Sequence, residues 1–138
     1  MTQDAILLPA CALALWTIVV LGLVPFRRVS ASLAGRTHVK DYRYGESANV
    51  PGDVSLANRN YMNLLELPIL FYFVCLSLVA TNRVDQTYVY LAWAFVAMRV
   101  VHSLVHLTYH NVLHRLMVFA VGNILIAVVL LRLTLSLL

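Results

Sequence analysis

The composition of this 138-residue chain excludes an ordinary soluble domain. Its residues are 62% hydrophobic and 12% charged, and its mean hydropathy is +0.83, whereas soluble domains average about 45–50% apolar and about 25% charged residues. Such sparse charge also excludes a disordered chain, and two cysteines are too few for a disulfide scaffold. A net charge of +4 without a broad solvated basic face argues against nucleic-acid binding. These properties are typical of a single membrane domain over residues 1–138.

Four apolar segments are long enough to cross a bilayer, which takes about 20 helical residues. They cover residues 5–26, 59–80, 87–108 and 112–137. The strands of a β-barrel would instead alternate in hydrophobicity over segments of about ten residues. With no water inside the bilayer to bind free backbone groups, each span is therefore predicted to be helical. The sequence predicts an all-α integral membrane protein, a bundle of four transmembrane helices.

The segment between the first two spans, residues 27–58, is a loop rich in positive charge. The turn between the second and third spans carries only Arg83, whereas the loop carries Arg27, Arg28, Arg36, Lys40 and Arg43. The positive-inside rule therefore predicts that the loop is cytoplasmic and that both termini lie on the opposite side. A short chain with no recognisable targeting segment favours a bacterial inner membrane, where that side is the periplasm.

The second span carries polar residues on one helical face. Arg59, Asn63 and Glu66 are spaced by four and three residues, so they share a stripe of the helix. Ionisable groups within spans generally face the bundle interior, a partner or a water-filled cavity. Pro68 follows this cluster and is predicted to kink the helix near Glu66.

The third and fourth spans add further polar residues. The third span has a stripe of Arg99, Ser103, His106 and His110, with His102 on its flank. The fourth opens with His114 and Arg115 and carries Asn123 about two turns deeper. Because these helices meet at the same side of the membrane, the predicted pocket in the cytoplasmic half contains Arg59, Asn63, Glu66, Arg99, His102, His106 and Arg115, with Arg27 at the same level.

An excess of arginine over glutamate in this pocket favours an anionic ligand. The planar guanidinium matches carboxylates, and Glu66 offers a partner for an ammonium group of the same molecule. A zwitterionic peptide with two carboxylates and one amine fits best, and a phosphorylated lipid fits less well. The alternative is that Arg59, Arg99 and Arg115 reach the headgroups, or pair with Glu66 and backbone carbonyls.

Two segments resemble the MAPEG family, the membrane-associated proteins in eicosanoid and glutathione metabolism. Residues 59–68, RNYMNLLELP, resemble its second-helix pattern R-x-x-x-N-x-x-E followed shortly by proline. Residues 99–106, RVVHSLVH, are similar to its third-helix segment R-x-x-H-[ST]-x-x-[YH]. Four spans, a basic first loop and the chain length also match, so the resemblance covers nearly the whole chain. The chain resembles in particular family members of the microsomal glutathione transferase and prostaglandin E synthase type.

The resemblance implies a homotrimer that binds glutathione as co-substrate between adjacent subunits. Glutathione has the two carboxylates and one amine that the charges favour. By the resemblance, Arg27 and Arg99 hold its carboxylates or neighbouring polar groups, Asn63 bonds its peptide groups, and Glu66 meets a polar or cationic group. Arg59 takes the place of the leading arginine of the motif and braces the site.

The resemblance also implies an activity, either transfer of glutathione to a lipophilic electrophile or reduction of a hydroperoxide. His102 and His106 lie where family members place hydrogen bonds beside the ligand. Arg115 lies where the family places an arginine near the sulfur, and a guanidinium there lowers the pKa of the thiol. The lipophilic substrate enters from the membrane lipid through the groove between subunits. Leu116 and Phe119 stand where some members carry a serine and an aromatic hydroxyl that assist the thiol.

Two other functions remain open. A non-catalytic scaffold that binds lipid or glutathione is consistent with the same architecture. A metal or haem site is suggested by four histidines spaced every four residues, since such pairs can ligate one ion. No carboxylate accompanies this ladder in the third span, so no metal ligand is predicted. The ladder comprises His102, His106, His110 and His114.

Overall fold

The computed structural model describes residues 2–109 and 111–138. Its five α-helices are α1 (Leu7–Leu33), α2 (Gly52–Leu65), α3 (Pro68–Ala80), α4 (Gln86–Leu107) and α5 (Val112–Leu137). Short 3-10 turns cover Gln3–Ile6 and Val39–Tyr42. Because α2 and α3 are consecutive parts of one span, the helices form four segments long and apolar enough to cross a membrane. The protein is an all-α integral membrane protein.

Two spans extend further at the loop than the sequence predicted. The first helix runs to Leu33 rather than 26, and the second span begins at Gly52 rather than 59. The connecting loop is therefore residues 34–51 and not 27–58. A helix can continue beyond the hydrocarbon because its backbone hydrogen bonds are internal, so charged residues mark the membrane edge and not the helix end. The third and fourth spans lie within one residue of their predicted positions.

The kink predicted near Glu66 is confirmed and is a break between α2 and α3. Glu66 has ψ −89°, outside the helical range, although its N–H still donates to the carbonyl of Met62 at 3.1 Å. Pro68 occupies the start of α3, where its missing N–H needs no partner. The break leaves Glu66 exposed at a corner of the span.

The helices pack around one apolar core, with α1 against α2 and α4, and α4 against α5. At its centre the rings of Phe71 and Phe95 lie 4.7 Å apart. A smaller apolar cluster of Ala31, Val50 and Val54 fixes the loop to α1 and α2. We call the end of the bundle with residues 34–51 and the α4–α5 turn the loop end, and the end with both termini and residues 81–85 the terminus end.

Polar groups at the terminus end connect the helices. Asp85 caps α4 by accepting a hydrogen bond from the N–H of Tyr88 at 2.9 Å, and its carboxylate pairs with Arg132 of α5 at 2.6 Å. The guanidinium of Arg132 also lies over the Tyr88 ring, 4.2 Å from its centroid. The Arg83 side chain donates to the carbonyl of Ser136. This end is thus held by side chains that bind one another.

Candidate functional site

A polar cavity of about 530 Å³ opens at the loop end between α2, α4 and α5. Helix α2 lines one wall, and α4 and the first turns of α5 line the other. Its lining residues are Asn58, Arg59, Met62, Asn63, Glu66, His102, His106, Val112, Arg115, Leu116 and Phe119. Six of the eight residues that the sequence predicted for the site therefore line one cavity, namely Arg59, Asn63, Glu66, His102, His106 and Arg115.

The α2 wall presents polar side chains that form no hydrogen bond or ion pair within the described part of the chain. Arg59 and Glu66 are exposed and Asn63 is half-buried. Within residues 2–109 and 111–138, none of these three side chains forms a hydrogen bond or an ion pair. They share a stripe because α2 is regular up to Leu65, and the break then turns Glu66 toward the cavity mouth. These groups are available to a ligand.

The opposite wall combines buried histidines with a half-buried arginine. His102 and His106 are buried, and their rings lie 5.9 Å apart. The Phe119 ring lies 5.6 Å from that of His102, so an aromatic side chain closes the inner part of the cavity. Arg115, near the start of α5, makes no hydrogen bond or ion pair with any other part of the chain that the structure describes. With neutral histidines, the cavity carries two arginines against one glutamate.

Arg99 does not line the cavity. Its side chain is 1% exposed, and its Nη2 donates to Oδ1 of Asn123 at 3.0 Å. Its guanidinium also lies against two rings, 5.0 Å from Phe95 and 5.2 Å from Phe119. Phe119 also lines the cavity, so its ring lies between the Arg99 guanidinium and the cavity wall residues. Arg99 is therefore part of the wall that supports the cavity.

Arg27 lies apart from the cavity in this chain. Its Nη1 donates to the backbone carbonyl of Asp53 at 2.6 Å, and it lines a separate cavity of about 180 Å³. The Asp53 carboxylate pairs there with Arg36 at 2.7 Å. The sequence predicted Arg27 at the same level as the other site residues, but its side chain binds the start of α2. A single protomer therefore does not bring Arg27 to the other predicted site residues.

Three of the four ladder histidines, His102, His106 and His114, lie in the described part of the chain. Residues 2–109 and 111–138 contain no group of three or more metal-ligating side chains. Nδ1 of His114 lies 3.1 Å from the hydroxyl of Tyr109, and the N–H of His114 donates to the Asn111 side chain, which caps α5. His110, the remaining member of the ladder, lies outside the described residues.

Among the residues at or behind the cavity that were not predicted as site residues, three add to the description of the site. Asn58 directly precedes Arg59 and lines the cavity beside the α2 stripe. Asn123 was visible as a polar residue in an apolar span, but only the packing of α4 on α5 gives it Arg99 as partner. From the sequence, Phe119 stood out only because it lacks the hydroxyl that some family members carry at this position. An asparagine within an apolar span is a signal that could have found Asn123, whereas Asn58 lay in the predicted loop and joins the site only because α2 begins at Gly52.

The fold and the cavity together define a class of protein. The chain is a four-span helical membrane protein whose loop end has a cavity lined by unpaired arginine, asparagine and glutamate side chains. A family model, that of the MAPEG family, matches residues 6–135. The chain belongs to the MAPEG family, as the motifs in the second and third spans indicated. No curated protein and no solved structure matches it significantly.

Proposed function

We propose that the protein binds glutathione in the loop-end cavity, stabilises its thiolate, and delivers it to a lipophilic electrophile or hydroperoxide. The observation that carries this proposal is the set of unpaired charges at the cavity, Arg59 and Arg115 with Glu66. The arginines suit two carboxylates or a carboxylate and a thiolate, and Glu66 suits the ammonium group. Membership of the MAPEG family supports the choice of glutathione among zwitterionic peptides.

Each cavity residue has a role in this proposal. Arg59 and Asn63 hold the polar backbone and a carboxylate of the tripeptide, and Glu66 pairs with its ammonium. His102 and His106 give hydrogen-bonding groups on the facing wall. The cavity volume of about 530 Å³ is within the range of about 300–1,000 Å³ that is usual for small-molecule sites.

Arg115 is the proposed catalytic residue. A guanidinium beside the sulfur favours the thiolate and so lowers the thiol pKa, and the thiolate is the nucleophile. In the transfer reaction the sulfur forms a bond to an electrophilic carbon, whose leaving group or opened ring takes the electron pair. In the peroxidase reaction the sulfur attacks the outer hydroperoxide oxygen and the O–O bond breaks, which releases the alcohol after protonation and leaves a sulfenic acid on glutathione. The thiol of a second glutathione attacks this sulfenic acid, which gives the disulfide and water.

The proposal includes a homotrimer in which adjacent subunits complete the site. Arg27 can act as a glutathione ligand only if a neighbouring subunit presents it, because within one chain it lies in a separate cavity. Arg99 then acts as a positioning residue that supports Phe119. The lipophilic substrate enters from the membrane lipid between subunits. By the positive-inside rule the loop end is cytoplasmic and both termini are periplasmic, in a bacterial inner membrane.

The test is calorimetry of glutathione binding to the detergent-purified full chain, together with thiolate absorbance near neutral pH. We expect saturable binding and a thiolate signal in the wild type. Arg115→Ala is expected to lose the thiolate signal while it still binds glutathione. The matched control is Arg83→Ala, which removes an exposed arginine at the terminus end and is expected to behave as the wild type.

The other outcomes separate the alternatives. Binding without any thiolate signal in the wild type would favour a non-catalytic scaffold that presents glutathione or lipid. A thiolate signal that survives in Arg115→Ala would contradict the role of Arg115. No binding at millimolar glutathione would contradict the proposed ligand itself.

A further inference from the structure

The 34–51 loop folds back against the last turns of α1 and leaves a groove outside the bundle. The groove measures about 330 Å³, and its surface is almost entirely apolar apart from its edge. It is lined by Arg28, Val29, Ser32, Leu33, Val39 and Tyr42. It shares no lining residue with the loop-end cavity, so its occupant is independent of glutathione.

Several contacts hold the loop in this position. The hydroxyls of Ser32 and Thr37 lie 3.0 Å apart, and the Tyr42 hydroxyl donates to that of Thr37 at 3.2 Å. The Tyr42 ring packs against the small apolar cluster at the start of α2 and also lies under the guanidinium of Arg28, at 5.0 Å. The Asp41 carboxylate accepts a hydrogen bond from the N–H of His38 at 2.8 Å. These contacts fix the loop against α1 and so define the shape of the groove.

The groove lies at the depth of the lipid headgroups. Helix α1 has 27 residues, so it is about 40 Å long, whereas the hydrocarbon core is about 30 Å thick. The part beyond Arg27 therefore stands outside the hydrocarbon. Leu33 and Val39 are nonetheless 85% and 84% exposed there. Apolar side chains in such a position are typical of a surface that rests at the boundary between headgroups and acyl chains.

Two basic side chains beside the groove have no acidic partner. Arg28 pairs with Glu46 at 2.9 Å and Arg36 with Asp53 at 2.7 Å. Lys40 and Arg43 are exposed, and among the described residues neither forms an ion pair. 

The Arg43 guanidinium lies over the ring of Tyr44, 5.2 Å from the ring centroid. Tyr44 is itself 90% exposed, so this pair stands clear of the protein surface. Lys40 and Arg43 directly follow Val39 and Tyr42, which line the groove, so the loop adds two positive charges next to the groove lining in the chain.

We propose that this groove binds one anionic phospholipid, with an acyl chain along Leu33 and Val39 and the headgroup phosphate on Lys40 and Arg43. Basic side chains near a membrane surface attract anionic lipids, and an apolar surface beside them holds the chain. The site orients the loop on the membrane and keeps the opening of the nearby cavity at a fixed depth.

The test is native mass spectrometry of the detergent-purified full chain with equal amounts of phosphatidylglycerol and phosphatidylcholine that carry identical acyl chains. We expect bound phosphatidylglycerol to exceed phosphatidylcholine roughly 30-fold, as two basic contacts imply. The Lys40→Gln/Arg43→Gln variant is expected to lose this preference. Arg83→Gln, at the terminus end, is the matched control and is expected to keep it. Leu33→Asn is expected to reduce retention of both lipids alike.

The results that would overturn the proposal are specific. Equal retention of the two lipids by the wild type would overturn it. An unchanged preference for phosphatidylglycerol in the Lys40→Gln/Arg43→Gln variant would overturn it as well. Displacement of phosphatidylglycerol by millimolar inorganic phosphate would indicate a phosphate site instead of a lipid site. Glutathione calorimetry on the same variants is expected to be unchanged, so that a failure here is distinct from a failure of the proposed enzymatic function.

Discussion

The terminus end and the loop-end cavity differ in how their polar side chains are partnered. At the terminus end, Asp85, Arg132 and Arg83 bind one another or helix backbone. At the cavity, Arg59 and Glu66 have no hydrogen bond or ion pair within the described part of the chain. Paired groups hold helices together, whereas unpaired groups near the membrane edge are available to a ligand. Substitutions at the terminus end should therefore affect stability, whereas substitutions in the cavity should affect binding.

The largest effect is expected from Arg115→Ala, which removes the proposed stabiliser of the thiolate. Turnover should fall roughly 100-fold, as for the loss of one positioned charge or donor at a reacting atom. The loss should shrink as the pH rises toward the pKa of a free thiol, about 8.5, because the thiolate then forms unaided. Steady-state kinetics across pH check this. A change confined to KM at all pH values would show that Arg115 only binds.

Asn123→Leu tests the wall behind the cavity. It leaves the buried Arg99 guanidinium without its hydrogen-bond acceptor, and a hydrogen bond to a charged group contributes about 2 kcal/mol. We expect a loss of that size in the free energy of unfolding in detergent. Asn58→Leu, the matched change at a half-buried residue of the cavity lining, should leave stability nearly unchanged. Equal stability of the two variants would refute the supporting role of Arg99.

Glu66→Gln tests the charge at the helix break. Calorimetry should show glutathione binding weakened about tenfold, or about 1.4 kcal/mol, with no loss of thermal stability. An N-acetylated glutathione, which lacks the ammonium group, should bind the wild type and the variant equally. If the variant weakens both ligands alike, Glu66 does not contact the ammonium.

Asp85→Ala tests the polar contacts at the terminus end. The change removes the N-cap of α4 and its ion pair with Arg132. We expect the free energy of unfolding to fall by about 1 kcal/mol, mainly from the cap, because a partly exposed ion pair adds little. Glutathione affinity should be unchanged. A loss of affinity as large as that of Glu66→Gln would mean that the two ends are coupled.

The smallest effect concerns the loop. The backbone N–H of His38 donates to the Asp41 carboxylate and holds the pKa of that carboxyl below its usual value. The interaction is therefore fully present above the unfolded pKa, about 3.9, and is lost as the pH falls through the lower folded pKa. Hydrogen exchange of residues 34–51, corrected for intrinsic rates, should show weaker protection below about pH 4. In Asp41→Asn this acid-dependent step should be absent.

Much of the cavity could be predicted because it depends on helical spacing. Arg59, Asn63 and Glu66 on one helix, and His102 and His106 on another, share faces whatever their neighbours are. Arg115 follows from its place at the membrane edge of the last span. Arg27 could not be predicted in this way, because the direction in which α1 turns it depends on packing against α2. The pairing of Arg99 with Asn123 likewise needs the register of α4 against α5.

The sequence by itself determined that this is a four-span helical membrane protein, because a bilayer requires about 20 apolar residues per helix and permits no unsatisfied backbone. It also determined which residues share a helix face. Only the tertiary structure decided where α1 ends, which arginines reach the cavity and which are buried behind it. Those features depend on contacts between helices far apart in the chain, and no local pattern of residues encodes how two helix faces are rotated against each other.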